Sequence, residues 1–284
     1  PHADKAIWIK GIVLTSIYLS CYAGILSNHF QLMGLMLLYG TLGLTKGLIG
    51  FNLIHDALHG ALTSSPFWNR FIGYWFDLNG TSSHIWKVTH NVLHHTFTNI
   101  PGHDHDIDKA IILRLNPSDK PYWFHRFQQW YAPVLYGLIG FNWVFYSDLA
   151  WFIRQRRQGQ VKTKDFILFS VLKAANITLF LILPLVMLSV PWWQVLIAYS
   201  CMHIVAGISI SIVFQLAHLV ENVHFLEPDR EGNMTHNWAV HELLTTSDFA
   251  RDNKVVTTLV GGLNFQVEHH LFPMVSHCHY PALS

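Results

Sequence analysis

Four stretches of this chain, about 6–26, 32–54, 166–188 and 192–217, stay apolar over the roughly 20 residues that a helix needs to cross a bilayer. Inside lipid each backbone N–H and C=O must be satisfied within the segment, so these stretches can only be helices. Charged residues make up 12% of the chain, half the ~25% of an ordinary soluble domain, which excludes a water-soluble enzyme and a disordered chain alike. The net charge of +1 supplies no basic field, so no nucleic-acid partner is expected. The joints Ser27–Gln31 and Ser189–Pro191 hold no Lys or Arg. Lys5 and, just inside the first stretch, Lys10 mark one of the other ends, and Arg154, Arg156, Arg157, Lys162 and Lys164 another. The positive-inside rule then predicts two hairpins that start and end in the cytoplasm. The first stretch is no signal peptide, because it lacks a cleavage site and a second span follows at once.

A fifth apolar stretch, 132–153, contains Asn142, Ser147 and Asp148. It is expected to lie along or dip into the cytoplasmic leaflet, with Asn142 and Asp148 turned towards the interface. The aromatic run near 67–78 is expected at the headgroup level, where Trp and Tyr gather. Gly40, Gly43, Gly47 and Gly50 stripe the second span and predict close helix packing. Lys46 and Lys173 fall within spans and are expected to snorkel to the surface. The fold expected is a single all-α membrane domain over 1–284, with four spans in two hairpins under a helical cytoplasmic cap.

The chain has 20 His, and this topology sorts them. All but His29 and His203 fall on the cytoplasmic side. His55 and His59 follow the second span at a spacing of four, on one helix face. His90 and His94 repeat that spacing, and His95 is turned about 100° from His94. Gln266 and Glu268 precede the adjacent pair His269–His270. One such box is weak evidence, since a lone pair is more often surface or packing. Three on one side of a membrane protein point to metal. His218, one turn past the fourth span, is placed to join them; a headgroup-bound His is the blander reading. His241 is the poorer candidate, read as lying in a loop.

Imidazole-rich ligation suits iron, copper or zinc. A zinc hydrolase needs three protein ligands and an open position, fewer than the boxes supply. A soluble di-iron carboxylate bundle needs two Glu-x-x-His motifs, and only Glu221–His224 fits. Three scattered Cys (Cys21, Cys201, Cys278) make neither a disulfide framework nor a thiolate site. A transporter would carry its polar residues at the bilayer midplane, and a b-type cytochrome would carry His pairs inside facing spans. Here the His gather outside the spans. The acidic loop His103–Asp108 is read as solvated, orienting box histidines or meeting a redox partner.

The boxes His55…His59, His90…His94-His95 and Gln266…His269-His270 resemble those of the integral-membrane fatty acid desaturases. Gln266 in place of His is similar to the front-end subgroup, and the run Asn264–Pro273 is close to the stretch those enzymes carry. His94–Asn99, Gly102–Asp104 and Asn237–His241 resemble the bacterial linoleoyl-CoA desaturase-like branch. The resemblance implies a mushroom-like four-helix fold and two non-haem iron ions. It also implies O₂-dependent insertion of a cis double bond near the carboxyl end of an acyl chain, of the Δ6 or Δ5 type. Carried over, one iron takes His55, His59, His90, His95 and His270. The other takes His94, His218 and His269, with Gln266 where many relatives have His, bound directly, through water or not at all. Zinc can replace iron in overexpressed protein. The implied partners are an acyl-CoA or acyl-lipid substrate, membrane lipid and an electron donor. No fused cytochrome b5 domain is seen, so the donor is expected to be separate: ferredoxin, or cytochrome b5 with its reductase. The bacterial inner membrane is expected rather than the endoplasmic reticulum. A lipid, sterol or carotenoid hydroxylase would share fold and ligands, and remains the alternative.

Overall fold

In the computed structural model, which describes residues 1–107 and 111–284, ordered structure is helical throughout the described residues. Four helices are long and apolar enough to cross a membrane: α1 (Lys5–Leu26), α2 (Leu32–Leu58), and two later ones, Thr163–Met187 and Trp192–His218. They fall within a few residues of the stretches read from hydropathy. Between the two pairs come α3 (Pro66–Leu78), α4 and α5. Helix α4 is built of Ser83–Trp86, Lys87–His94 and His95–Phe97. Helix α5 runs through Gln128–Asn142, Trp143–Ser147 and Asp148–Arg157. The later spans are α6 (Thr163–Met187) and α7 (Trp192–His218). Four short helices follow: α8 (Trp238–Thr245), α9 (Lys254–Leu259), α10 (Gln266–Leu271) and α11 (Tyr280–Leu283).

Tyr18, Ile25, Leu35, Tyr39, Leu42, Phe180, Ala198, Tyr199 and Met202 fill the bundle core. The outward faces stay apolar: Ile12, Met33, Leu37, Val171, Val186 and Trp192 are all exposed, as lipid-facing positions should be. Helices α2 and α7 touch backbone to backbone. A Cβ on Gly43 would strike the Met202 carbonyl, so part of the glycine stripe is packing. The same holds where α7 meets α5: a Cβ on Gly207 would strike the Tyr136 carbonyl. Both inter-span joints sit together, since Asn28 Nδ2 donates to Ser189 Oγ at 2.7 Å and Ser189 N–H donates to Asn28 Oδ1 at 2.8 Å.

Three polar residues differ from the sequence reading. Asp148 does not turn to the interface. It is 3% exposed and pairs with Lys173 Nζ at 2.9 Å. Lys173 does not snorkel either: its other two donors reach the carbonyls of Gly80 at 2.8 Å and Trp143 at 3.0 Å. Asp148 also accepts from Ser82 N–H at 3.0 Å. Lys46 lies against the Phe180 ring, 4.9 Å from its centroid, and 3.9 Å from Met202 Sδ. Hydropathy places Lys46 and Lys173 in spans and Asp148 in an interfacial stretch; it cannot say which partners a neighbouring helix brings.

Candidate metal centre

Box one leaves the membrane helix α2 through a wide-turned segment, Gly50–Ile54, that hydrogen-bonds i to i+5. Box two lies in a longer segment of the same kind, Lys87–His94. Its wider turns keep residues four apart on one side and add the residue five on, which a 3.6-residue helix turns away. His90 and His94 therefore stack, with centroids 5.0 Å apart, while His95 stands edge-on 4.9 Å from His90. Box three comes from α10, and His218 ends α7.

Ring nitrogens of His55, His59, His90 and His269 all lie within 4.8 Å of one another. Those of His94, His218 and His270 do the same, and His95 makes such a group with His269 and His270. The eight imidazoles thus form one buried cluster with two ends. The third-box rings sort the other way from the family carry-over: His269 faces box one, and His270 faces His94 and His218. Adjacent residues on a helix point about 100° apart, which sends the two rings to opposite ends of the cluster. Gln266 is buried beside them, with its Nε2 donating to the Leu263 carbonyl at 2.8 Å. His241 lies on α8 rather than in a loop. Its Nε2 meets the Thr98 carbonyl at 2.7 Å, and it belongs to none of the groups.

The donor set fits a metal. Nε2 of His59, His90, His269 and His270, and both nitrogens of His95, are buried without a partner. Buried polar atoms are seldom left so. His94 Nε2 and His218 Nε2 stand 3.3 Å apart, and two nitrogens bound to one ion at about 2.1 Å each are separated by roughly 3.0–3.4 Å.

Carboxylates back the rings; those of the acidic loop were legible in the sequence, and Glu242 was not. His94 Nδ1 is 3.0 Å from Asp104 Oδ2, so the acidic loop does orient a box histidine. Asp106 Oδ2 stands 3.5 Å from His90 Nδ1, and Asp108 lies outside the described residues. Glu242 holds His270 Nδ1 at 2.8 Å and accepts from Thr98 Oγ1 at 2.9 Å. Trp86 stacks on His90 at 4.1 Å between centroids. A glutamate inside the apolar α8 was the one sequence signal for Glu242.

Burial, aided by neighbouring imidazoles, pushes His59, His95, His269 and His270 well below the ordinary range. Burial also lowers His90 to about 4. These rings are neutral at pH 7, the form that binds metal. His94 is opposite: burial would lower it, but the Asp104 carboxylate outweighs burial and raises it to about 9. A depressed imidazole contributes stability above its unfolded value of about 6.5, lost as pH falls further. His94 contributes below about 6.5 and loses that contribution as pH rises through about 9. The metal-free protein is therefore expected to lose thermal stability from about pH 6.5 down to 4. An unchanged melting temperature over that range would contradict the burial of these rings.

A buried imidazole cluster at the mouth of an apolar helical bundle defines a membrane protein with a site compatible with a histidine-ligated metal centre. The chain belongs to the fatty acid desaturase family, whose model matches residues 28–284. It is therefore an oxidoreductase that acts on acyl chains, and its relatives place it among the front-end enzymes. It is 33% identical over 288 residues to the sn-1 linoleoyl-lipid 6-desaturase of Arthrospira platensis, covering 100% of this chain and 78% of the relative. It is 35% identical over 291 residues to the protein of the same description from Synechocystis, covering 99% and 79%. An acyl-lipid (8-3)-desaturase of Mortierella alpina is 34% identical over 248 residues, covering 84% of this chain and 55% of the fungal protein.

Proposed function

We propose that this chain is an O₂-dependent acyl-lipid desaturase that inserts a cis double bond near the carboxyl end of a polyunsaturated chain, at the sixth carbon. The carrying observation is the cluster of partnerless imidazole nitrogens, joined to cyanobacterial relatives described as 6-desaturases. His55, His59, His90, His94, His95, His218, His269 and His270 would hold two iron ions, with Gln266 beside them. When bound, the irons supply the O₂ activation that breaking an unactivated methylene C–H bond requires. The balance is –CH₂–CH₂– plus O₂, two electrons and two protons, giving –CH=CH– and two waters.

The protein's own work is positional. Asp104 and Glu242 accept the Nδ1 protons of His94 and His270, which turns both Nε2 atoms inward. The apolar bundle offers the dry surroundings an acyl chain needs. Electrons come from a separate carrier, ferredoxin or cytochrome b5 with its reductase. The four spans form two hairpins opening to the cytoplasm of a bacterial inner membrane. The bonded joints Asn28 and Ser189, which lack basic neighbours, support that topology.

Gas chromatography of lipids from cells that express the chain and are supplied with linoleate tests the reaction. A new double bond at the sixth carbon is expected. A hydroxylated product would turn the reading to a hydroxylase, and no product would refute it. Topology is tested by single cysteines in sealed vesicles after Cys21, Cys201 and Cys278 are replaced. Labels at 126–130 and 155–160, the two ends of α5, are expected to react from the cytoplasmic face. Labelling from opposite sides would refute the four-span arrangement.

A further inference from the structure

Residues 276–280 lie outside all three boxes, yet they touch two of them. Ser276 Oγ donates to Asp56 Oδ2 at 2.6 Å, and the same oxygen receives the His277 backbone N–H at 3.2 Å and faces its Nδ1 at 3.0 Å. Asp56 sits beside His55 in box one. Tyr280 is 1% exposed, and its hydroxyl lies 3.1 Å from His269 Nδ1. The segment is pinned in turn, since Ser276 N–H donates to the Pro1 carbonyl at 3.0 Å.

The groups behind the rings differ between the two ends of the cluster. Carboxylates touch His94 and His270, from Asp104 at 3.0 Å and Glu242 at 2.8 Å. A carboxylate behind an imidazole makes the ring more basic and a stronger metal donor. At the other end the carboxylates stand off: Asp106 at 3.5 Å from His90, and Asp56 at 3.8 Å from His55, already engaged by Ser276 and His277. His269 is backed by a neutral phenol. Its oxygen accepts the Nδ1 proton and fixes the tautomer, leaving Nε2 for metal without adding charge. His269 Nε2 is indeed buried and partnerless.

We propose that the two ends of the cluster hold metal unequally, and that Tyr280 is the positioning residue of the weaker one. This rests on the metal-centre reading above. The His94–His218–His270 end, backed by Asp104 and Glu242, grips its ion harder. The His55–His59–His90–His269 end depends on the hook at 276–280 to keep His269 turned inward.

The test is release of iron from the full chain in detergent. The chain is loaded anaerobically with two equivalents of Fe²⁺ and then mixed with a coloured Fe²⁺ chelator. The parent is expected to release one ion quickly and one slowly. Tyr280→Phe removes only the hydroxyl and should speed the fast phase about ten-fold or more, leaving the slow phase alone. Glu242→Gln should speed the slow phase. A fold merely loosened by either change would speed both together, and melting of the metal-free variants reports such loosening separately. A single phase in the parent, or a Tyr280→Phe variant that leaves both phases unchanged or moves them equally, overturns the inference alone. A parent that takes up no iron overturns the metal-centre reading beneath it.

Discussion

Replacing His218 by alanine is expected to abolish desaturation and strip metal from the protein. His218 is 2% exposed, and its Nε2 faces His94 Nε2 at 3.3 Å. Losing a residue behind a ligand already costs roughly 10–100-fold in affinity or activity, so losing the ligand itself should cost at least that. His241→Ala is the control. That ring sits on the Thr98 carbonyl, so its loss should cost about 1–3 kcal/mol of stability while metal content holds. Full activity in His218→Ala, or metal loss in His241→Ala alone, would reverse the two roles.

Lys173→Met is expected to be the most destabilising change far from the cluster. Lys173 and Asp148 are 12% and 5% exposed in their side chains, and their contact is 2.9 Å. Removing one partner leaves a buried carboxylate uncompensated, which costs about 3–5 kcal/mol. The double variant Lys173→Met/Asp148→Leu should recover much of that loss, because no charge is left behind. Thermal unfolding in detergent reads both. The damage should reach box two, since Asp148 also accepts from Ser82, the residue that caps the start of α4. A single variant as stable as the parent would show the pair to be idle.

The helices and the boxes were legible because both are local patterns. Apolar length gives α1, α2, α6 and α7 their positions, and i,i+4 spacing picks out His55/His59 and His90/His94. What the pattern could not carry is long-range or conformational. Glu242 is 28 residues from His270, and Asp148 is 25 from Lys173. No periodicity links such partners. The i to i+5 turns of Lys87–His94 bring His95 into the cluster beside His90 and His94, where a 3.6-residue helix turns it aside. The sorting of His269 from His270 depends on which side α10 approaches, a tertiary fact. The burial of Lys46 and Lys173 was misread for the same reason: a span's composition says nothing about a neighbour's carbonyl or ring.

The clustered imidazoles are drawn from four places, His55–His59, His90–His95, His218 and His269–His270, and each end of the cluster mixes early and late residues. During synthesis the first imidazoles emerge about 200 residues before the last. At roughly 5–20 residues per second that is on the order of 10–40 s. Throughout that interval the nascent chain, already threading into lipid, presents an incomplete claw of exposed histidines. On the proposed metal reading, a half-made site of this kind would have to be kept from free metal until the last histidines have emerged.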